Sequence, residues 1–156
     1  MVQTPIGGIG VTVDDGAVTG VSFGAGEPVE PAEPSATLAE AIRQLREYFV
    51  GERVEFDLPL MLTTGTEFER AVWKAIAEIP YGETQSYGAI ARAVGQPEGA
   101  QAVGLACNHN PHPVIVACHR VIGANGKLVG FGGGVHRKRW LLQLEAKVHI
   151  ERTFGA

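Results

Sequence analysis

The stretch Pro113 to Val121, P-V-I-V-A-C-H-R-V, constrains the folding of this chain more than any other. Residues 113–117 are mostly apolar, with β-branched side chains at Val114, Ile115 and Val116, and they predict a short buried strand. The run passes without a break into Cys118, His119 and Arg120. Any fold must therefore bury the segment and still hold a thiol, an imidazole and a guanidinium at its end. A cationic neighbourhood lowers a thiol's pKa and makes it a nucleophile. Free cysteine is also among the most buried residue types and packs as a small hydrophobe. The tripeptide alone leaves both readings open.

The rest of the chain sets the scale. Its 156 residues suit one domain or two small ones, and 45% apolar content is enough for a core. No apolar run is long enough for a bilayer, and the first ten residues have neither a basic region nor an apolar core, so neither a membrane span nor a signal peptide is expected. Two cysteines, Cys107 and Cys118, are too few for a disulfide framework. Reduced thiols and a cytoplasmic location follow as expectations. Five histidines lie in the second half, but no C-x-x-C or H-E-x-x-H accompanies them, so no metal is expected. The net charge of −4 divides unevenly: residues 1–63 carry −7 and residues 64–156 carry +3. An acidic support domain joined to an anion-facing domain fits that division, as does ordinary surface variation.

Thr4 to Phe23 alternates apolar and polar residues around Asp14-Asp15-Gly16 and predicts antiparallel strands with a hairpin. Gly24 to Pro34 predicts a loop. Ser35 to Val50 has helical periodicity on Leu38, Ile42, Leu45 and Phe49, with Ser35 as N-cap and Gly51 as the stop. Val54 to Leu62 predicts another strand, and Thr63 to Gly65 a linker, which places a boundary between domains 1–63 and 64–156. Thr66 and Glu69 have capping-box spacing ahead of a stripe made by Phe68, Val72, Ile76 and Ile79. Pro80-Tyr81-Gly82 ends that helix. Thr84 or Ser86 opens a shorter one, which Gly95 ends. A helix of small residues follows over Glu98 to Asn108, and the pair predicts a helix-turn-helix. A narrow helix can enter a DNA groove; packing against a neighbouring helix has the same composition. Val129 to Gly134 predicts a glycine-dense flexible wall, and Arg137, Lys138 and Arg139 open a final helix carrying Trp140, Leu141, Leu144 and Glu145.

Several of these segments together resemble the O6-alkylguanine-DNA alkyltransferases, also called methylated-DNA–protein-cysteine methyltransferases. The resemblance rests on Thr66-Glu67-Phe68, Val72-Trp73, Ile79 to Thr84, Ser86-Tyr87, Ala102-Val103-Gly104, Asn110-Pro111, Cys118 to Val121, the Gly132 to Gly134 run, and Trp140-Leu141-Leu142 before Glu145. It implies a ribonuclease-H-like α/β unit, an antiparallel sheet plus a helix, followed by a mostly α-helical domain with a helix-turn-helix. It also implies roles. Cys118 matches the alkyl acceptor, His119 the base that relays to the thiol through a water, and Glu145 the carboxylate that orients the histidine. Asn110 braces the site, and Tyr87 is the phenol that protonates the departing guanine. Gln101, Ala102, Val103, Gly104, Arg120, Val121, Phe131, Gly132 and Lys138 are the expected substrate and DNA contacts. The implied partner is double-stranded DNA containing O6-alkylguanine, with the protein acting as a monomer and without a cofactor.

The chemistry agrees with these roles. An alkyl group on guanine O6, or on thymine O4, lies inside the base stack, so the nucleotide must be rotated out. Displacement at carbon requires a soft nucleophile, and the thioether formed has no easy reverse reaction, so each molecule acts once. Departures from the family pattern are Ala117 where proline is usual, Phe131 where tyrosine is frequent, and Gln101 where an arginine fills the gap left by the flipped base. Glutamine is shorter and uncharged, although it can still wedge into a stack. The alternatives are a module that binds alkylated bases without transfer, a Cys-His acyl-transfer hydrolase, and an alkyl acceptor for a substrate other than duplex DNA. Cys107 matches no family nucleophile and is expected to serve in packing.

Overall fold

The computed structural model describes residues 2–24, 35–128 and 134–154. The expected loop over Gly24 to Pro34 and the glycine wall with Phe131 and Gly132 lie largely or wholly outside them. The chain divides into two compact units, Met1–Thr64 and Gly65–Ala156.

The first unit is a three-stranded antiparallel sheet with one helix. Strands β1 (Val2–Thr4), β2 (Gly7–Asp14) and β3 (Ala17–Phe23) pair in that order. The β2–β3 hairpin turns on Asp15 (φ 50°) and Gly16 (φ 75°). Two consecutive positive φ angles give the twist that a two-residue hairpin needs. Helix α1 (Ala36–Phe49) starts where Ser35 accepts the Leu38 amide, and it buries Ala41, Leu45, Tyr48 and Phe49 on the β1–β3 sheet. That stripe is rotated from the expected one, since Leu38 and Ile42 are only half-buried.

The strand expected over Val54 to Leu62 does not form. It reduces to one bridge between Leu60 and Val18. The buried amide of Gln44 donates to the Asp57 carbonyl at 3.0 Å and accepts the Asp57 N–H at 2.9 Å. It thereby uses the backbone groups that a ladder would need, and Pro59 contributes no donor.

The second unit is helical. Helix α2 (Glu67–Ala77) opens with the expected capping box between Thr66 and Glu69 and buries Val72, Trp73 and Ile76. Strand β4 (Gln85–Ser86) leads straight into α3 (Tyr87–Ala93), with Ser86 as N-cap. After a turn with Gly95 at φ 79°, α4 runs Ala100–Asn108 and packs against both α2 and α3. A short 3-10 helix (Cys118–Arg120), β5 (Val121–Ile122) and the long α5 (Val135–Phe154) complete it. Among the described residues, no helix is long and apolar enough to cross a membrane.

The strand predicted over Pro113 to Ala117 is also absent. Val114 has φ 73°, a left-handed conformation that interrupts an extended run and is uncommon for a β-branched side chain. Residues 113 and 116 bridge each other locally instead. Burial was read correctly: Val114 and Val116 are in the core.

Candidate active site

Backbone geometry delivers Cys118 to its position. The Val116 N–H bonds to the His112 carbonyl at 2.8 Å, and the Cys118 N–H bonds to the Val116 carbonyl at 2.8 Å. Ala117 between them, at φ −80° and ψ 64°, forms an inverse γ-turn. This φ lies in the range a proline would enforce, so alanine adopts here the conformation that the proline of the resembling family would fix. The parallel β4–β5 ladder pairs Gln85 with Val121 and Ser86 with Ile122. It sets Tyr87, the next residue after Ser86, close to the segment that carries the thiol.

Asn110 braces this turn. Its Nδ2 donates to the Val116 carbonyl at 2.8 Å and to Cys118 Sγ at 3.1 Å, while its Oδ1 accepts the His112 N–H at 2.9 Å. An amide donor aimed at sulfur favours the thiolate.

His119 and Arg120 converge on Glu145, which is almost completely buried. His119 Nε2 lies 2.6 Å from Glu145 Oε2; Arg120 Nε donates to Oε1 at 2.7 Å and Nη2 to Oε2 at 3.0 Å. Burial alone would raise the Glu145 pKa. The His119 and Arg120 charges and hydrogen bonds override it and hold the carboxyl at about 2. An ionised carboxylate is acceptor-only, so the proton in the 2.6 Å bond belongs to Nε2. Nδ1 is buried and has no hydrogen-bond partner among the described residues.

Arg120, expected among the substrate and DNA contacts, turns inward here: its remaining Nη1 donates to the Ile79 carbonyl at 2.7 Å and its guanidinium sits 5.4 Å from the Tyr81 ring centroid. The hydrogen bond with Cys107 and then burial push the Cys118 thiol up, against the Asn110 donor and the Lys138 charge.

Lys138 is the cation that acts on this sulfur. It is fully buried, and its Nζ donates to the Val121 carbonyl and, at 3.1 Å, to Tyr87 Oη. Desolvation lowers its pKa, and negative charge on the Cys107 and Cys118 sulfurs opposes that. Burial, with the two sulfurs adding to it, pushes the Tyr87 phenol up and keeps it protonated. Lys138, Leu141, Glu145 and Val148 are the buried residues of α5, one face at helical spacing, so one helix supplies both the ammonium and the carboxylate.

On α4, Gln101 and Ala102 are exposed and Gly104 is half-buried. Val103, also expected among the DNA contacts, is fully buried. The carbonyl of Ala106 accepts from Trp73 Nε1 at 2.8 Å, which fixes α4 to α2. Cys107, expected to serve in packing, is almost completely buried, and its interaction with Cys118 lowers its own pKa and raises that of Cys118. No local pattern announces an interaction between a helix and a 3-10 turn. The described residues hold no group of three His, Cys, Asp or Glu that could bind a metal.

Two helices joined by a turn, beside a cysteine braced by asparagine and followed by a His-Glu-Arg cluster, define a protein that holds a buried thiol behind a helix whose Gln101 and Ala102 face outward. Family comparison gives the class a name. The DNA-binding domain of 6-O-methylguanine DNA methyltransferases matches residues 67–147, and the ribonuclease-like domain of the same enzymes matches residues 1–62, so the chain belongs to the 6-O-methylguanine DNA methyltransferase family. A methylated-DNA–protein-cysteine methyltransferase of Mycolicibacterium paratuberculosis is 48% identical over 94% of this chain and 90% of its own length. A Mycobacterium bovis protein of that name is 61% identical over 105 residues, which cover 67% of this chain and 63% of the relative. Mycobacterium tuberculosis OGT, solved in complex with DNA, superposes with a TM-score of 0.84 at 47% identity, covering 94% of this chain and 91% of that one.

Proposed function

We propose that this chain repairs DNA by moving an alkyl group, a methyl in the simplest case, from O6 of guanine to its own Cys118, once per molecule. The observation that carries the reading is the position of Cys118 Sγ. It is held 3.1 Å from Asn110 Nδ2, within the field of Lys138, and His119, the next residue, is bonded to Glu145.

In the reaction the S–C bond forms as the C–O6 bond breaks. The thiol proton leaves toward His119 Nδ1 through a bridging water, and Glu145, ionised and fixed by Arg120, orients the imidazole. Guanine leaves with a proton from Tyr87, and the Lys138 ammonium offsets charge on the phenolate until the proton is replaced. The raised Cys118 pKa is compatible with this sequence. A buried thiol kept neutral until substrate enters is deprotonated as it reacts, at a site where the Asn110 donor and Lys138 favour the anion. DNA approaches α4, where Gln101 and Ala102 face outward, and the flipped base reaches Cys118 beside Tyr87 and the Val121 backbone.

One experiment tests this reading. The protein is mixed with an oligonucleotide duplex carrying O6-methylguanine and analysed by intact mass and peptide mapping. One methyl on Cys118 per molecule, absent in Cys118→Ser, is expected. Repeated turnover, or a methyl on Cys107, rejects it.

A further inference from the structure

Glu69 serves two helices with one carboxylate. Its Oε1 accepts the Thr66 N–H at 3.0 Å and closes the capping box of α2. Its Oε2 lies 2.7 Å from Nδ1 of His109, the C-cap residue of α4. The Thr66 N–H, and after it His109, hold the Glu69 carboxyl below the usual carboxylate range. An ionised carboxylate only accepts, so the proton in this bond belongs to His109 Nδ1. Most exposed ion pairs are weak because two free side chains must be ordered to form them. Here one partner is ordered beforehand: the Thr66 amide fixes the carboxylate, and the Glu69 side chain is only 18% exposed.

This latch closes at the end of the helix that leads to the acceptor site. Trp73 Nε1 donates to the Ala106 carbonyl at 2.8 Å, so positions 69 and 73, one turn apart on α2, grip positions 106 and 109 at the end of α4. The Trp73 bond alone would leave a pivot; the bond at His109 removes it. The His109 N–H closes the helix on the Leu105 and Ala106 carbonyls at 3.2 and 3.1 Å. The next residue is Asn110, whose Nδ2 donates to Cys118 Sγ at 3.1 Å and to the Val116 carbonyl at 2.8 Å. A side-chain amide on a loose backbone loses entropy when it makes such bonds, whereas one delivered by a clamped helix end has less to lose.

We infer that His109, latched to Glu69, is a positioning residue for the acceptor sulfur: it fixes the end of α4 so that Asn110 Nδ2 stays on Cys118 Sγ. The linkage runs from Thr66 through Glu69, His109 and Asn110 to Cys118, and His109 acts through the asparagine. When the latch is lost, the amide drifts from the sulfur and the thiolate loses a donor. Cys118 then reacts more slowly at neutral pH, and the deficit closes at alkaline pH, where the thiolate forms without that donor. The position requires a donor long enough to reach the Glu69 carboxylate, so arginine can replace histidine there and alanine cannot. The effect on alkyl transfer rests on the function proposed above; the bonds themselves do not.

The test follows benzyl transfer from free O6-benzylguanine to Cys118 in the full chain, by peptide mapping, from neutral to alkaline pH. His109→Ala should react about two- to fivefold more slowly at neutral pH, the range that well-oriented exposed pairs are worth. The inflection of its rate-against-pH curve should move upward. His109→Arg should restore most of the rate. Asn110→Ala should slow transfer further, and adding His109→Ala to it should leave the rate within about 1.5-fold, because the latch then has no amide to hold. No slowing in His109→Ala, equal slowing in both backgrounds, or slowing with an unmoved inflection overturns the inference. Circular dichroism checks each fold; if Asn110→Ala does not fold, the inflection and the His109→Arg rate decide. The same series is run with iodoacetamide, which needs no guanine. If the wild type takes up no benzyl while iodoacetamide gives the expected order of rates at Cys118, the proposed function fails and the latch stands.

Discussion

Replacing Glu145 with glutamine removes the one anion of a buried cluster and leaves its shape nearly unchanged. Two routes give the cost. Breaking a buried pair by removing one partner costs about 3–5 kcal/mol, because Arg120 then keeps an uncompensated charge in the interior. Independently, the fall of the Glu145 pKa from an ordinary 4.5 to about 2 corresponds to about 3 kcal/mol, at about 1.4 kcal/mol per pH unit. A lowered carboxylate pKa stabilises the fold above the unfolded value, and that contribution is lost as pH falls through 4.5 toward about 2. By pH 3 more than half of it should be gone. Glu145→Gln should thus lie about 3 kcal/mol below the wild type at pH 7, and the gap should narrow by about 2 kcal/mol at pH 3. With a urea slope of about 1–3 kcal/mol per molar, the neutral-pH midpoint shift is roughly 1–3 M. Tryptophan fluorescence is the suitable signal, since Trp73 and Trp140 both belong to the unit Gly65–Ala156. Glu40 is also held at about 2, but it is exposed and common to both proteins, so the comparison cancels it. A gap that stays constant from pH 7 to pH 3, or one below about 1 kcal/mol at pH 7, refutes the reasoning.

Three further outcomes follow from particular contacts. Gln101→Arg should speed alkyl transfer from duplex DNA and leave the rate on free O6-benzylguanine unchanged, measured at one fixed salt concentration because phosphate contacts are salt-dependent; an equal gain on both substrates removes Gln101 from the flipping site. Ala117→Pro should fold normally and gain about 0.4–1 kcal/mol, since φ −80° already suits the ring; a loss in urea stability would show that the turn needs the Ala117 N–H. Thr66→Ala should cost about 1 kcal/mol through loss of the bond to the Glu69 N–H, read from the same urea curves, and no change would show that the capping box adds nothing.

What the sequence made legible was local. The Thr66–Glu69 box, the Ser35 cap and the Asp14-Asp15-Gly16 hairpin depend on residues a few positions apart, and each stands where its pattern put it; of Thr84 and Ser86, it is Ser86 that caps α3. The apolar run before Cys118 was read correctly as buried and incorrectly as extended, because a left-handed Val114 is fixed by surrounding bonds and not by its own preference. The Val54 to Leu62 strand failed for a related reason, since the side-chain amide of Gln44 replaced a neighbouring strand. At the candidate site, sequence identified the residue types but not their directions. Arg120 lies two residues from Cys118 in the chain and bonds Glu145 in space, whereas Lys138, distant in sequence, acts on the sulfur. The Cys107–Cys118 interaction is purely tertiary.

The single buried face of α5 acts as a ruler. Lys138 and Glu145 are seven positions apart, so their backbones stand about 10 Å apart along the axis and on nearly the same side. The phenol's cationic neighbour and the imidazole's anionic one are thus two marks on one rigid rod. One residue inserted between them would turn the later mark by about 100° and carry Glu145 away from His119 while Lys138 stayed in place. Length changes beyond Val148 leave both marks where they are. The distance between the two ends of the site is therefore fixed by the helical repeat, and the site can be retuned by exchanging side chains at positions 138 and 145 but not by changing the spacing between them.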